Sequence, residues 1–381
     1  MRVALVCPYS LSRPGGVQSQ VLGQARALLA RGVEVTVLAP ADGRVEVDGM
    51  PAASLVVVGR SMGLPANGSV APVALSPAAA VRALRTVRRG GADIVHLHEP
   101  LAPGPAYACL LGAPQPKVGT FHRSGPSTAY RLLGPLARWL ASRLDVRCAV
   151  SEAARDTAAR ALGGVYEIVP NGVELDRFAD VQPWPTEGPT VLFVGRHEQR
   201  KGLEVLLRAF TTVVESPPSG DAGPGGAQHG ATLWVAGDGP ETAALRRRYP
   251  SGPSLQWLGP IGEEEKRRRM AGAHVLCAPS LRGESFGVVL LEAMAARAAV
   301  VASDLPGYAA VAGGHALLVP PGDIGALARA LRGVLADAAA GTGRCTPAAL
   351  EAAAAHAAQW SMGAQAERYL AIYERLARRA G

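Results

Sequence analysis

At 381 residues the chain is too long for one ordinary hydrophobic core, and two domains of roughly 150–200 residues each fit it better. Five scattered cysteines without Cys-x-x-Cys spacing argue against a structural zinc or a disulfide scaffold, and no run of about 18 apolar residues exists to span a membrane. The net charge of +8 lies wholly in the first half: residues 1–172 carry 18 Lys and Arg against 10 Asp and Glu, whereas residues 173–381 carry 21 of each.

That asymmetry gives the first half the attraction for an anionic partner or surface, the bland alternative being solvated Arg-rich helix faces. The apolar run at 3–7 ends at Pro8, so it reads as a strand and is far short of a signal peptide; a reduced, cytoplasmic protein is expected. Pro14-Gly15-Gly16-Val17 is the turn before a helix running to about Arg31, Gly32 stops that helix, and residues 33–39 alternate as the next strand. Strand, Gly-rich turn, helix and strand open a parallel α/β sheet. The Gly-x-Gly-x-x-Gly fingerprint is missing, which argues against a dehydrogenase, but Gly15-Gly16 lets a backbone N–H approach a phosphate or sugar with no Cβ in the way.

Residues 41–80, rich in Gly, Pro, Ala and Ser, read as variable loops. Residues 78–89 read as a helix on which Arg82, Arg85, Arg88 and Arg89 bunch; like charges at this spacing cost helix stability, so the patch suits an anionic membrane surface. Residues 93–98 form a strand with His96 and His98 on one side, a pair that lacks a third metal ligand. The strand at 118–122 ends on His122, where ligands of open α/β sheets gather. Residues 144–151 are expected to close the first sheet, and 169–173 to be the turn between the halves. The second half repeats the rhythm: strand 190–194, loop 195–201, helix 202–215, a Pro/Gly/Ser-rich insertion at 216–230, strand 232–236, strand 255–258, helix 263–270, strand 275–278 and strand 300–302. Residues 324–376 are helical, with Trp360-Ser361 starting the last helix.

Two segments of this half carry chemistry, and a third is sufficiently explained as a turn. Gly195-Arg196-His197-Glu198-Gln199-Arg200-Lys201-Gly202 sets three cations beside a helix N-terminus, which suits a diphosphate, and it is not a P-loop because Gly-Lys-Ser/Thr is absent. Gly237-Asp238-Gly239-Pro240-Glu241 is a turn at the end of the next strand. Gly283-Glu284-Ser285-Phe286-Gly287 leads into an apolar helix that carries Glu292. Eight residues along a helix is about 12 Å, beyond the roughly 5–9.5 Å of hydrolytic carboxylate pairs. The two acids therefore suit two parts of one long ligand.

Pro14-Gly15-Gly16-Val17-Gln18-Ser19, His98-Glu99-Pro100, Thr120-Phe121-His122, Pro170-Asn171-Gly172-Val173, Gly195-Arg196…Arg200-Lys201-Gly202 and Gly283-Glu284-Ser285-Phe286-Gly287 resemble, in order and spacing, the retaining glycosyltransferases of family 4, and the likeness spans nearly the whole chain. Within that family the chain most resembles the actinobacterial phosphatidylinositol mannosyltransferases. The resemblance implies the GT-B fold: an α/β protein of two facing Rossmann-like domains, 1–172 on the acceptor side and 173–359 for the sugar nucleotide, with a C-terminal helix at 360–381 crossing back to the first. It implies that Gly16 contacts the donor diphosphate, that Arg196 and Lys201 bind and neutralise it, and that Ile261 and Lys266 lie by the nucleobase. Glu284, with the backbone of Phe286, Gly287 and Val288, would hold sugar and phosphate, Glu292 the ribose, and His122 would lie by the reacting sugar. No Asp-x-Asp occurs, as expected if Arg196 and Lys201 replace a metal; the expectation is a nucleotide-sugar co-substrate, GDP-mannose best, with no bound cofactor, no metal and no nucleic acid.

The acceptor side departs from the resemblance. Where the lipid mannosyltransferases carry Tyr-Asn-Gly-Ser-Val-Ala-Arg, this chain has Ala66-Asn67-Gly68-Ser69-Val70-Ala71-Pro72, so the Arg that pairs with the lipid phosphate is absent. Arg123 replaces a small hydroxyl residue after His122, and Arg297 stands where a Gly is usual. Tyr9, Asn67, Ser69 and Arg123 are the acceptor candidates. The expected function is a retaining transfer of mannose to an anionic, lipid-linked acceptor of the phosphatidylinositol type, which would put the protein on the inner face of the plasma membrane. The alternatives are a family-4 enzyme using a UDP- or GDP-sugar on a soluble cyclitol, aminoglycoside or other secondary metabolite, a coupling enzyme forming a non-glycosidic bond, and a catalytically idle binding protein on the same scaffold.

Overall fold

The computed structural model describes residues 1–13, 15–43, 45–66, 69–125, 134–215 and 230–380. Two units divide the chain, one of Met1–Gly172 with Trp360–Gly381, the other of Val173–Gln359.

The first unit runs β1 (Arg2–Val6), α1 (Gly16–Leu29), β2 (Glu34–Ala39), β3 (Leu55–Val57), β4 (Met62–Ala66), β5 (Ser69–Val73), α2 (Pro77–Arg89), β6 (Ile94–His98), α3 (Pro105–Gly112), β7 (Lys117–Phe121), α4 (Gly134–Ala141), β8 (Val146–Ala149), α5 (Glu152–Leu162) and β9 (Glu167–Ile168). Its parallel sheet has the order β3-β2-β1-β6-β7-β8-β9, and β4 and β5 form a separate antiparallel hairpin. The central strands are buried on both faces because helices cover both. Leu5, for example, lies between Val37 of β2 and His96 of β6.

The second unit runs β10 (Thr190–Val194), α6 (Leu203–Glu215), β11 (Thr232–Ala236), α7 (Thr242–Arg248), β12 (Leu255–Gly259), α8 (Glu263–Gly272), β13 (Val275–Ala278), α9 (Val288–Ala295), β14 (Ala299–Ser303), α10 (Pro306–Ala312), β15 (Ala316–Val319), α11 (Ile324–Ala340) and α12 (Pro347–Ala357). Its six parallel strands are ordered β12-β11-β10-β13-β14-β15. In both sheets the order reverses beside the first strand, between β1 and β6 and between β10 and β13. Ligands of open α/β sheets bind at the carboxyl ends of such strands.

The last helix, α13 (Met362–Ala380), packs on the first unit. Ala366, Tyr369, Ile372, Tyr373 and Leu376 join Val21, Ala25 and Leu28 of α1 in one buried cluster over the sheet. Polar side chains fix the seat. The Tyr373 hydroxyl lies 2.6 Å from His96 Nδ1 and accepts from Gln24 Nε2 at 2.8 Å, and the Tyr369 hydroxyl lies 2.9 Å from Thr120 Oγ1. Gln365 Nε2 donates to Gln20 Oε1 and to the carbonyl of Pro170, while Gln20 bonds both the N–H and the carbonyl of Gly172.

Two expectations need correction, and one strand was not expected. Residues 41–80 are not loops throughout: β3 extends the sheet beside β2, with Val37 opposite Leu55, and β4 and β5 pair from Met62↔Val73 to Ala66↔Ser69. Backbone pairing holds these segments, so their Gly- and Pro-rich composition hid them. The strand at residues 144–151 does not close its sheet, since the two-residue β9 pairs outside β8. The short strand β15, after Gly313-Gly314, gave too little signal in the sequence to be expected. Pro14, Asn67 and residues 216–229 of the insertion lie outside the described residues, as does the side chain of Ser69.

Candidate active site

In the second unit the loops after β10 and β13 converge. Gly202 lets them do so: its φ is +69°, and a Cβ there would sit 2.0 Å from the Pro279 carbonyl. The Leu281 N–H donates to the Arg200 carbonyl at 2.7 Å, tying loop to loop. Lys201 Nζ thereby reaches Glu284 Oε1 at 2.7 Å, joined by Arg200 Nη1 at 3.3 Å and the Ser280 hydroxyl at 3.0 Å. All three bonds fall on one carboxylate oxygen, and the Tyr308 hydroxyl braces Ser280 from behind at 3.0 Å. The second oxygen, Oε2, has no partner among the described residues. Burial pushes the Glu284 carboxyl up, and the Lys201 ammonium with Arg200 more than offsets it, so the group sits below its ordinary range and is ionised.

Glu198 extends the pattern. It is 2 % exposed, with Oε1 2.9 Å from Arg196 and Oε2 accepting from Arg200 Nε at 3.0 Å. The order Arg196, Glu198, Arg200, Glu284, Lys201 is an unbroken alternation of charge. The turn after Glu284 ends at Gly287, whose φ of +105° and close approach to Tyr308 exclude a side chain. Phe286 is buried, leaving only its backbone for a ligand. Gly287 caps α9 with no side-chain bond and no acid in the first turn, so the N–H groups there favour an anion.

Glu292 lies a turn inside α9, where Lys266 of α8 bonds its Oε1 at 2.9 Å and reaches Glu263 at 3.3 Å. Burial pulls the Lys266 ammonium down, but those two carboxylates reverse the balance and hold it protonated. Lys266 therefore positions Glu292. Ile261, half-buried, stands just before α8, beyond the sharp turn at Gly259.

The first unit gathers a second group at the ends of β1, β6 and β7. Gly16 opens α1 and a Cβ on it would meet nothing, so the N-terminus of that helix is open to a ligand. His122 is 8 % exposed, and its Nε2 lies 2.9 Å from His98 Nδ1. His98 stacks in turn on His96 at 4.4 Å, and His96 Nε2 meets Thr120 Oγ1 at 2.7 Å. Burial drives all three imidazoles down, His122 to about 4 and His96 to about 3, so the stack is neutral at physiological pH. The metal-pair reading of His96 and His98 gives way to this polar stack, and no group of three metal-ligating side chains occurs among the described residues.

Sequence reading missed Glu99. It has φ +47°, unusual for a residue before proline, and its buried carboxylate accepts the His122 N–H at 2.8 Å and the Arg123 N–H. Burial raises its carboxyl, opposed by those N–H groups and by Arg123. Burial likewise raises the Tyr9 hydroxyl, with the Glu99 charge adding to it and Arg123 opposing. Tyr9, His122 and Arg123 are thus assembled around Glu99. Ser280, Tyr308, Glu198 and Asn171, which flanks His122, were also missed. Glu198, an acid inside a basic loop, and Asn171, inside the Pro170-Asn171-Gly172-Val173 turn, stood in segments singled out from the sequence, whereas Ser280 and Tyr308 did not.

Two family models match the chain: Glycosyltransferase Family 4 over residues 14–177 and Glycosyl transferases group 1 over 188–337. A phosphatidyl-myo-inositol mannosyltransferase of Mycolicibacterium smegmatis is 39% identical over 344 residues, 88% of this chain and 85% of the relative. The protein of the same name from Propionibacterium freudenreichii is 34% identical over 317 residues, 81% of this chain and 78% of the relative. Among solved structures, Anabaena Alr3699/HepE in complex with UDP and glucose superposes with a TM-score of 0.72 at 16% identity, over 98% of this chain and all of that one, a likeness of fold.

Proposed function

The chain belongs to glycosyltransferase family 4 and is a hexosyltransferase using a nucleotide-sugar donor, and from that premise we propose that it transfers mannose from GDP-mannose to a phosphatidylinositol acceptor with retention at the anomeric carbon. The observation that carries the reading is the alternating charge cluster at the β10/β13 switch point, which fits a sugar diphosphate. Arg196 and Lys201 neutralise the diphosphate, the N–H groups around Gly287 and Val288 take a phosphate oxygen, and the free Oε2 of Glu284 accepts from the sugar hydroxyls. Glu292, steadied by Lys266, takes the ribose; Ile261 lies by the base, and Gly16 and His122 serve the diphosphate and the sugar.

In the reaction the bond between the anomeric carbon and the phosphate oxygen breaks, its electron pair leaving with the diphosphate. The acceptor hydroxyl bonds the same face of the carbon, and its proton passes to the departing phosphate oxygen. Charge grows on the leaving group, where the fixed cations stand, and each such donor is worth a few kcal/mol. No metal is required in this scheme, because the cations do the neutralising. His122 is neutral and bonded to His98, which suits a hydrogen-bonding role toward the sugar better than that of a proton carrier.

Mannose and phosphatidylinositol are supported by the names of relatives that share over a third of their residues across most of the chain. Arg82, Arg85, Arg88 and Arg89 of α2 are exposed and would meet the acidic face of the membrane, with the protein peripheral on its cytoplasmic side. No helix among the described residues is long and apolar enough to cross a membrane. Arg123, beside Glu99, would replace the phosphate-pairing Arg lost at Pro72. A soluble acceptor is the second reading, favoured by that loss: Pro72 lies in β5 and offers only its carbonyl, taken by the Ser10 N–H at 2.8 Å.

The test is transfer of labelled mannose from GDP-mannose to vesicles containing phosphatidylinositol, with chelator present, beside UDP-glucose and soluble inositol phosphate as controls. Lipid-borne label from GDP-mannose alone supports the proposal. Turnover confined to a UDP-sugar or to the soluble acceptor refutes it.

A further inference from the structure

Glu198 has no part in the scheme above, and a carboxylate beside a diphosphate site opposes the charge it must bind. Burying it is costly unless it is fully paired. Its Oε2 accepts from Arg200 Nε at 3.0 Å, while its buried Oε1 stands 2.9 Å from the Arg196 guanidinium as an ion pair without a hydrogen bond, and it is 2 % exposed while Arg196 is 46 % exposed. The loop backbone fixes its place: the Lys201 N–H donates to its carbonyl at 2.8 Å, and its own N–H to the carbonyl of Arg196 at 2.9 Å. A long, half-exposed Arg196 side chain has many rotamers, and this contact selects one of them. Arg200 is held in the same way between Glu198 and Glu284, so that it does not take over the carboxylate that Lys201 shares at 2.7 Å.

We propose that Glu198 is a positioning residue for the transfer reaction, holding the Arg196 and Arg200 guanidiniums where charge develops on the leaving diphosphate, at the expense of ground-state affinity for the nucleotide. The inference rests on the nucleotide-sugar chemistry of the family and is independent of which base or sugar is used.

Opposed effects on binding and turnover test it. Glu198→Gln keeps the shape and removes one negative charge beside the diphosphate. Nucleoside diphosphate, GDP and UDP each titrated by calorimetry, is then bound more tightly than by the unaltered protein, by up to about tenfold, while turnover at saturating donor falls at least about tenfold. In a double-mutant cycle with Arg196→Gln, the loss caused by Glu198→Gln shrinks to less than about threefold, because the two act as a unit. Glu198→Asp, which keeps the charge but withdraws it by one methylene, retains nucleotide affinity and loses turnover. Turnover within threefold of the unaltered enzyme overturns the proposal. So does a parallel loss of melting temperature, affinity and turnover in both variants, which marks a structural role. A switch of preference from GDP to UDP would instead strike at the mannosyltransferase reading and leave the comparison between variants intact.

Discussion

Replacing Lys201 by Ala probes the centre of the site, and the structure sets two separate consequences. The first is loss of one fixed cation at the leaving diphosphate, for which a single preorganised donor supplies about 2.7–4 kcal/mol, or 10²–10³ in turnover. The second falls on Glu284. In the intact site burial raises its carboxyl, and Lys201 at 2.7 Å is the largest effect holding it down; after truncation Arg200 at 3.3 Å and Ser280 at 3.0 Å remain. The carboxyl therefore moves upward. Because the ionised form accepts the sugar hydroxyls, donor use fails as pH falls through that value, and the acid limb of kcat/KM for the donor shifts toward neutrality in Lys201→Ala. Initial rates from about pH 4.5 to 8 at sub-saturating donor measure both effects. A loss of less than about tenfold, or an acid limb that does not move, refutes the assigned role.

Tyr373→Phe deletes a buried hydroxyl bonded to His96 and Gln24, an expected cost of about 2–3 kcal/mol. For a unit of this size that lowers the melting temperature by about 5–10 °C in a circular-dichroism melt, and a change below about 2 °C would contradict the docking of α13 described here. His96, His98 and His122 are held neutral below their unfolded value near 6.5, so between that pH and their folded values the unfolded chain binds protons that the native one does not. Stability then falls as pH drops below about 6.5, by up to about 1.4 kcal/mol per pH unit for each ring, and urea midpoints that stay flat from about pH 7 to 5 would exclude a neutral stack. Arg297 has φ +59°, and its exposed pair with Glu351 adds little. Arg297→Gly is expected to leave stability unchanged or raise it by up to about 1 kcal/mol, and a clear loss in denaturant titration would show that the side chain matters more than the backbone strain.

How much of the site could be read from the chain depends on how its parts are distributed along it. Arg196, Arg200 and Lys201 fall within six residues of one another, and Glu284, Gly287 and Glu292 within nine. Each set was legible because a strand end, a turn and a helix start impose their chemistry over a few consecutive residues. Arg297 shows the same logic from the other side: the left-handed backbone there is a physical reason for a glycine to be usual at that position. Glu99 was illegible for the opposite reason. The residue before a proline normally stays extended, and nothing local announces a left-handed one whose carboxylate turns back onto the N–H groups of residues 122 and 123.

The sequence by itself determined the repeated strand-turn-helix rhythm, the charge of the first half and the donor-binding segments, since periodicity, turn chemistry and local charge are properties of neighbouring residues. Only the tertiary structure decided which charges meet. Glu284 shares one oxygen among Lys201, Arg200 and Ser280, Lys266 belongs to Glu292, and His96 joins Tyr373 across 277 residues of sequence. Those pairings follow from strand order. A sheet that reverses direction beside its first strand brings the carboxyl ends of β10 and β13, and of β1 and β6, side by side, and buried polar groups at those ends must find partners among whatever the topology delivers.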